Sequence, residues 1–176
     1  MGMPGAGKTE ASAYLKKKGI PIIRFGDLTD EGVRGMGLPL KSENEKLFRE
    51  KMRKEFGMGA YAIKSKPKID NLLKDHDIII LDGLYSWEEY TYLKKEFNNL
   101  ILIDIYAEPA IRYERLLERP VRPLLEIEAR NRDIVELEKL NKGGPIAMAD
   151  YLIENNTDNT GDLYKKLDDL LNRLGI

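Results

Sequence analysis

Eight residues near the start of the chain carry its strongest chemical signal. Gly2-Met3-Pro4-Gly5-Ala6-Gly7-Lys8-Thr9 fits the pattern G-x-x-x-x-G-K-[ST] at every position. Such a loop binds phosphate because its backbone N–H groups converge on the oxygens, and glycines at 5 and 7 permit the turns this requires. Lys8 supplies a point charge that reaches the β- and γ-phosphates, and the Thr9 hydroxyl is a hard oxygen ligand suited to Mg²⁺. Residues 8 to 18 read as a helix, whose N-terminal dipole favours the same anion. The expected contacts to ATP are therefore Gly2, Pro4, Gly5, Ala6, Gly7, Lys8, Thr9 and Glu10. A glycine-rich turn that merely contains a lysine is the bland alternative, and it requires coincidence along the whole motif.

A second candidate is Ile78-Ile79-Ile80-Leu81-Asp82-Gly83, an apolar strand ending in an acid. That form puts Asp82 beside Mg²⁺, partly through water. Alone it would read as a strand and an Asp-Gly turn, but the phosphate loop upstream favours the functional reading. Arg112, Arg115 and Arg119 share a helix face by spacing, and Arg122, Arg130 and Arg132 follow. A solvated face balanced by Glu114, Glu118, Glu126 and Glu128 would explain them equally well. Phosphoryl transfer, however, spreads charge that arginines stabilise. The single histidine, His76, reads as a surface or structural residue.

These groups need elements to hold them. Near-continuous apolar runs at 20–25, 77–81, 100–106 and 151–154 read as strands covered on both faces, alternating with helical periodicity. Ser42 with Glu45 and Ser86 with Glu89 each form a capping-box signature. Pro109 suits a first helical position, and a last helix from Thr160 buries Leu163, Leu167, Leu170, Leu171 and Leu174. A phosphate loop normally follows a buried strand, yet only Met1 precedes Gly2. The natural polypeptide is therefore expected to extend upstream; if it instead begins at Met1, a four-stranded sheet with a gap beside the loop is expected.

The 176 residues suit one domain, spanning 1–176. A net charge of −1 gives no global basic field for nucleic acid, and the absence of cysteine excludes disulfides and thiol chemistry. No apolar run approaches a membrane span and no signal-peptide segment opens the chain, so a cytoplasmic protein is expected. The oligomeric state is not encoded in any motif.

Taken in order, the motifs resemble those of the nucleoside-monophosphate-kinase-like P-loop kinases. The likeness is closest to an archaeal group related to adenylate kinase and dephospho-CoA kinase. It rests on GMPGAGKT, Phe25-Gly26-Asp27, Gly57-Met58-Gly59-Ala60 and Asp82-Gly83. Arg115-Leu116-Leu117-Glu118-Arg119 and Ala149-Asp150-Tyr151-Leu152-Ile153-Glu154-Asn155 complete it. The resemblance implies an α/β P-loop NTPase fold, three layers α/β/α, with a parallel sheet in order 2-3-1-4-5 and its first strand missing or truncated here. It also implies an acceptor region at 26–66, a lid at 118–135, Arg115 and Arg119 as paired lid arginines, and Asn155 near the adenine.

The acceptor is less legible. Asp27, just past the second strand, can orient or deprotonate an attacking hydroxyl, or simply cap a helix. Adenylate kinases show Gly-Asp-x-x-Arg and Asp-Gly-x-x-Arg, whereas Gly26-Asp27-Leu28-Thr29-Asp30 and Asp82-Gly83-Leu84-Tyr85-Ser86 lack both arginines. Without those phosphate clamps, unless Arg24, Arg34 or Arg53 replaces them, a dephospho-CoA-like hydroxyl acceptor is favoured over AMP. The expected function is transfer of the ATP γ-phosphate to a small acceptor. The alternative is a P-loop ATPase or nucleotide switch serving a macromolecular partner. The absence of N-K-x-D favours ATP over GTP.

Overall fold

A computed structural model describes residues 1–176. They divide into two compact units, one of residues 1–19 and 101–176, the other of residues 20–100. In the first unit, α1 (Lys8–Lys17) opens directly from the glycine loop. Strands β3 (Ile103–Tyr106) and β4 (Tyr151–Glu154) pair in parallel, Ile103 opposite Tyr151. Between them run α6 (Pro109–Glu118), α7 (Glu126–Glu138) and α8 (Gly143–Ala147), and α9 (Thr160–Leu174) ends the chain. Pro109 sits at the start of α6, where its missing N–H leaves no gap in the ladder. In α9, Leu163, Leu167 and Leu170 are buried along the expected stripe.

The second unit holds β1 (Ile22–Arg24) and β2 (Ile80–Asp82), also parallel, with Arg24 opposite Asp82. Its helices are α2 (Gly26–Gly35), α3 (Ser42–Phe56), α4 (Ala60–Leu72) and α5 (Trp87–Glu96). Helices α2 and α3 pack closely because Gly32 has no side chain; a Cβ there would lie 2.0 Å from the Phe48 ring. On α5, Tyr90 is buried while Trp87 remains 39% exposed.

The parallel strands and alternating helices are those of the expected α/β fold, and the two pairs match the 2-3 and 4-5 neighbours of its order. Two details differ from expectation. Instead of a four-stranded sheet there are two separate two-stranded sheets. Met1 behaves as a single residue of strand: its amino group donates to Ile103 O, and Ile105 N donates to its carbonyl at 2.9 Å. The second difference concerns α3. Lys41, not Ser42, occupies its N-cap, without a side-chain cap bond, and Glu45 lies 3.5 Å from Arg49. At α5 the capping box is complete, with Ser86 Oγ accepting from Glu89 N at 3.0 Å. No helix is long and apolar enough to cross a membrane.

Candidate nucleotide site

The loop and its supports lie in the first unit. Gly5 and Gly7 have φ of +81° and +102°, values an L side chain rarely adopts, and Gly7 is the N-cap of α1. Crowding adds a second reason for glycine. A Cβ on Gly5 would stand 2.5 Å from Arg112 O, and one on Gly7 would stand 2.3 Å from Asn155 Nδ2.

A loop can aim its N–H groups at a ligand only if its carbonyls are satisfied on the other side. Three side chains do this. Lys8 Nζ donates to Met3 O at 2.8 Å, Arg112 Nη1 to Pro4 O at 3.0 Å, and Asn155 Nδ2 to Ala6 O at 2.9 Å. Thr9, in the first turn of α1, is exposed. Glu10 accepts from the Tyr164 hydroxyl, and Tyr164 stacks on Tyr14 with ring centroids 4.1 Å apart. That contact ties α9 to α1.

Asn155 therefore meets the loop, where the resemblance implied the adenine. Arg115 also has a different setting from that of an unengaged lid arginine. It donates to Asn155 O at 2.8 Å and Thr157 O at 2.6 Å, clamping the turn after β4. Arg119 does not lie on the helix its spacing suggested: α6 ends at Glu118, and Arg119 follows it in an extended conformation. Its Nε donates to Arg122 O, and burial, then the Arg132 and Arg122 charges, lowers its proton affinity. Arg132 is itself paired with Glu136 at 3.2 Å, one turn along α7.

In the second unit, Asp27 is the second residue of α2 and Phe25 the N-cap, so Asp27 does not cap the helix. Its Oδ1 accepts from Arg24 Nε at 2.8 Å, and Arg24 also reaches Asp30 at 2.7 Å. Asp82 ends β2, half-buried, and its backbone oxygen accepts from Phe25 N at 2.8 Å. No trio of His, Asp or Glu side chains gathers to hold a metal ion. Thr9 and Asp82 offer hard oxygen donors, the kind that suits Mg²⁺ held mainly by phosphates and water. His76 is exposed.

Groups whose partners lie far along the chain carry no local signal. Arg112 was visible as one of three arginines on a face, but its acid, Asp133, is on another helix. Asp104, 3% exposed with one carboxylate oxygen unpartnered, looked like an ordinary strand position. Its carboxyl is pushed up by burial, an effect opposed by the chain's amino group, Lys142 and Lys8.

The family model described as an AAA domain matches residues 1–140. A UPF0200 protein of Pyrococcus abyssi is 39% identical over 158 residues, covering 88% of this chain and 84% of that one. Another, from Thermococcus sibiricus, is 36% identical over 182 residues, with 100% and 94% covered. Among solved structures, shikimate kinase from Bacteroides thetaiotaomicron superposes with a TM-score of 0.61 at 16% identity, covering 99% of this chain and 95% of that chain. Shikimate kinase from Acinetobacter baumannii, in complex with shikimate, gives 0.57 at 19% identity, covering 97% and 89%. These structural likenesses show a shared P-loop kinase fold. With a phosphate loop built on that fold and relatives matched over most of their length, the chain belongs to the UPF0200 proteins and, with them, to the AAA-domain family.

Proposed function

We propose that this protein is an ATP-dependent kinase that transfers the γ-phosphate to a hydroxyl of a small acceptor. One observation carries the reading: a loop with left-handed Gly5 and Gly7 opens α1 while side chains hold its carbonyls outward. When the triphosphate enters, Lys8 exchanges Met3 O for the β- and γ-phosphates. Thr9 would be a hard oxygen ligand for Mg²⁺, which would neutralise charge on those phosphates; Asp82, in the other unit, is a hard oxygen donor of the same kind. Arg119, with Arg122 and Arg132, meets the charge spread over the transferring group.

The preference for a hydroxyl acceptor rests on what surrounds Asp27. The two arginines that would clamp an AMP phosphate are absent from 26–30 and 82–86. Arg24, one possible substitute, is engaged by Asp27 and Asp30. Asp27 Oδ2 takes no protein donor and is left to orient or deprotonate an attacking hydroxyl. Positioning supplies most of the rate in such transfer, so no histidine is required.

ATP consumption against a panel containing AMP, dephospho-CoA, shikimate and other small hydroxyl compounds tests this. The expected result is strong, saturable stimulation by one hydroxyl compound, with phosphate appearing on it. Efficient conversion of ATP and AMP to ADP would refute the acceptor preference. Slow hydrolysis indifferent to every small molecule would instead favour an ATPase or switch with a macromolecular partner.

A further inference from the structure

Arg112 is 5% exposed, yet it serves none of the roles expected of the lid arginines. All three of its nitrogens are engaged, on three different elements. Nε donates to Ala107 O at 3.1 Å, at the end of β3, and Nη1 donates to Pro4 O at 3.0 Å, in the phosphate loop. Nη1 and Nη2 form a two-pronged pair with Asp133 on α7, at 3.0 and 2.6 Å. The Tyr113 hydroxyl adds a bond to Asp133 Oδ2 at 3.0 Å. From the same residue, the Arg112 backbone oxygen packs where a Cβ of Gly5 would be.

A buried ion pair of this kind is weak evidence for stability, because removing two charges from water offsets most of their attraction. What the fork does provide is registration. A planar guanidinium fixes the Pro4 carbonyl and the Asp133 carboxylate relative to each other, which a flexible ammonium would not do. Asp133 lies one residue beyond Arg132 on α7, and Arg132 is one of the charges beside Arg119.

We propose that Arg112 is a positioning residue that registers α7 with the phosphate loop, so that an occupied loop holds Arg132 and its neighbours in place around the transferring phosphate. The idea rests on the nucleotide-binding reading of that loop. A phosphate pulling the loop's N–H groups inward turns the Pro4 carbonyl further outward onto Arg112. Arg112 in turn tightens on Asp133 and stiffens α7. By reciprocity, ordering of α7 by any other contact strengthens the hold on nucleotide.

Backbone amide hydrogen exchange on the full chain tests this, with and without the magnesium complex of a non-hydrolysable imido analogue of ATP. In the wild-type protein the analogue should slow exchange in residues 2–9 and also in 126–138. The doubly substituted protein Arg112→Met, Asp133→Leu replaces the pair with apolar groups of similar size and is expected to fold. At saturation it should still protect residues 2–9, lose the protection of α7, and bind the analogue about 10-fold more weakly. Arg112→Lys serves as a second variant should the double substitution fail to fold. It keeps a charge beside Asp133 but cannot also reach Pro4, so it too should lose the α7 response.

Retained α7 protection in either folded variant at saturation overturns the proposal. So does a wild-type protein that protects residues 2–9 but not α7. No protection of residues 2–9 in the wild type would instead overturn the nucleotide reading itself.

Discussion

Replacing Glu89 with glutamine should change how the protein's stability depends on pH. Glu89 is 1% exposed, and its Oε2 accepts from Tyr85 N at 2.7 Å and Ser86 N at 3.3 Å, while Oε1 has no partner. Burial pushes its carboxyl up from 4.5 to about 7, against the pull of those two N–H groups and of Arg53, and with a further push from Glu88. Below the unfolded value both states hold the proton and the group contributes no penalty. As pH rises from 4.5 to about 7 the unfolded chain ionises first, so folding stability falls, and it levels off above the folded value. At about 1.4 kcal/mol per tenfold change in proton affinity, the loss approaches roughly 3 kcal/mol. Glutamine keeps the shape and an oxygen for the two N–H groups but does not titrate. Urea unfolding of both proteins at several pH values gives the difference directly, with other titrating groups cancelling between them. The wild type should lose stability relative to Glu89→Gln between pH 4.5 and 7. A difference that stays flat across that range would refute the argument from burial.

Gly5→Ala should harm nucleotide binding more than Gly7→Ala. Both force alanine into left-handed backbone, at about 1–2 kcal/mol each, but the first also meets the fixed Arg112 backbone and the second only the Asn155 side chain. A further loss of about 10-fold in ATP affinity is expected for Gly5→Ala, and equal affinities would contradict it. Arg115→Ala should lower the melting temperature by several degrees, since two bonds from a charged donor to the turn after β4 disappear. Arg119→Ala should leave melting nearly unchanged yet reduce turnover about 100-fold or more once the acceptor is in hand. The reverse pattern would exchange their roles.

How much could be read from the sequence depended on the distance between partners. The phosphate loop and the Ser86–Glu89 capping box are complete within a few residues, so their chemistry is written locally. Ser42 and Glu45 show the same local pattern, yet the chain enters α3 one residue earlier, through an extended Lys41. A cap depends on one residue's backbone, which the motif does not fix. Arg112 and Arg115 share α6 as their spacing indicated, but Arg119 is the extended residue just past its end, and spacing did not reveal that each would have a different partner. Arg112 lies 21 residues from Asp133, and Asn155 lies 149 residues from Ala6. Only tertiary packing brings such groups together. Strand ends were legible to within a few residues, because apolar runs continue into the flanking turns.

The central claim is that Gly5, Gly7 and Lys8 hold the phosphates of a nucleotide, and calorimetric titration of MgATP tests it most directly. The wild-type protein should bind saturably, one nucleotide per chain. Lys8→Ala should abolish that binding while the variant remains folded, because the lysine is only half-buried. No affinity of the folded wild-type protein for any purine triphosphate, or equal affinity in the lysine variant, would contradict the account.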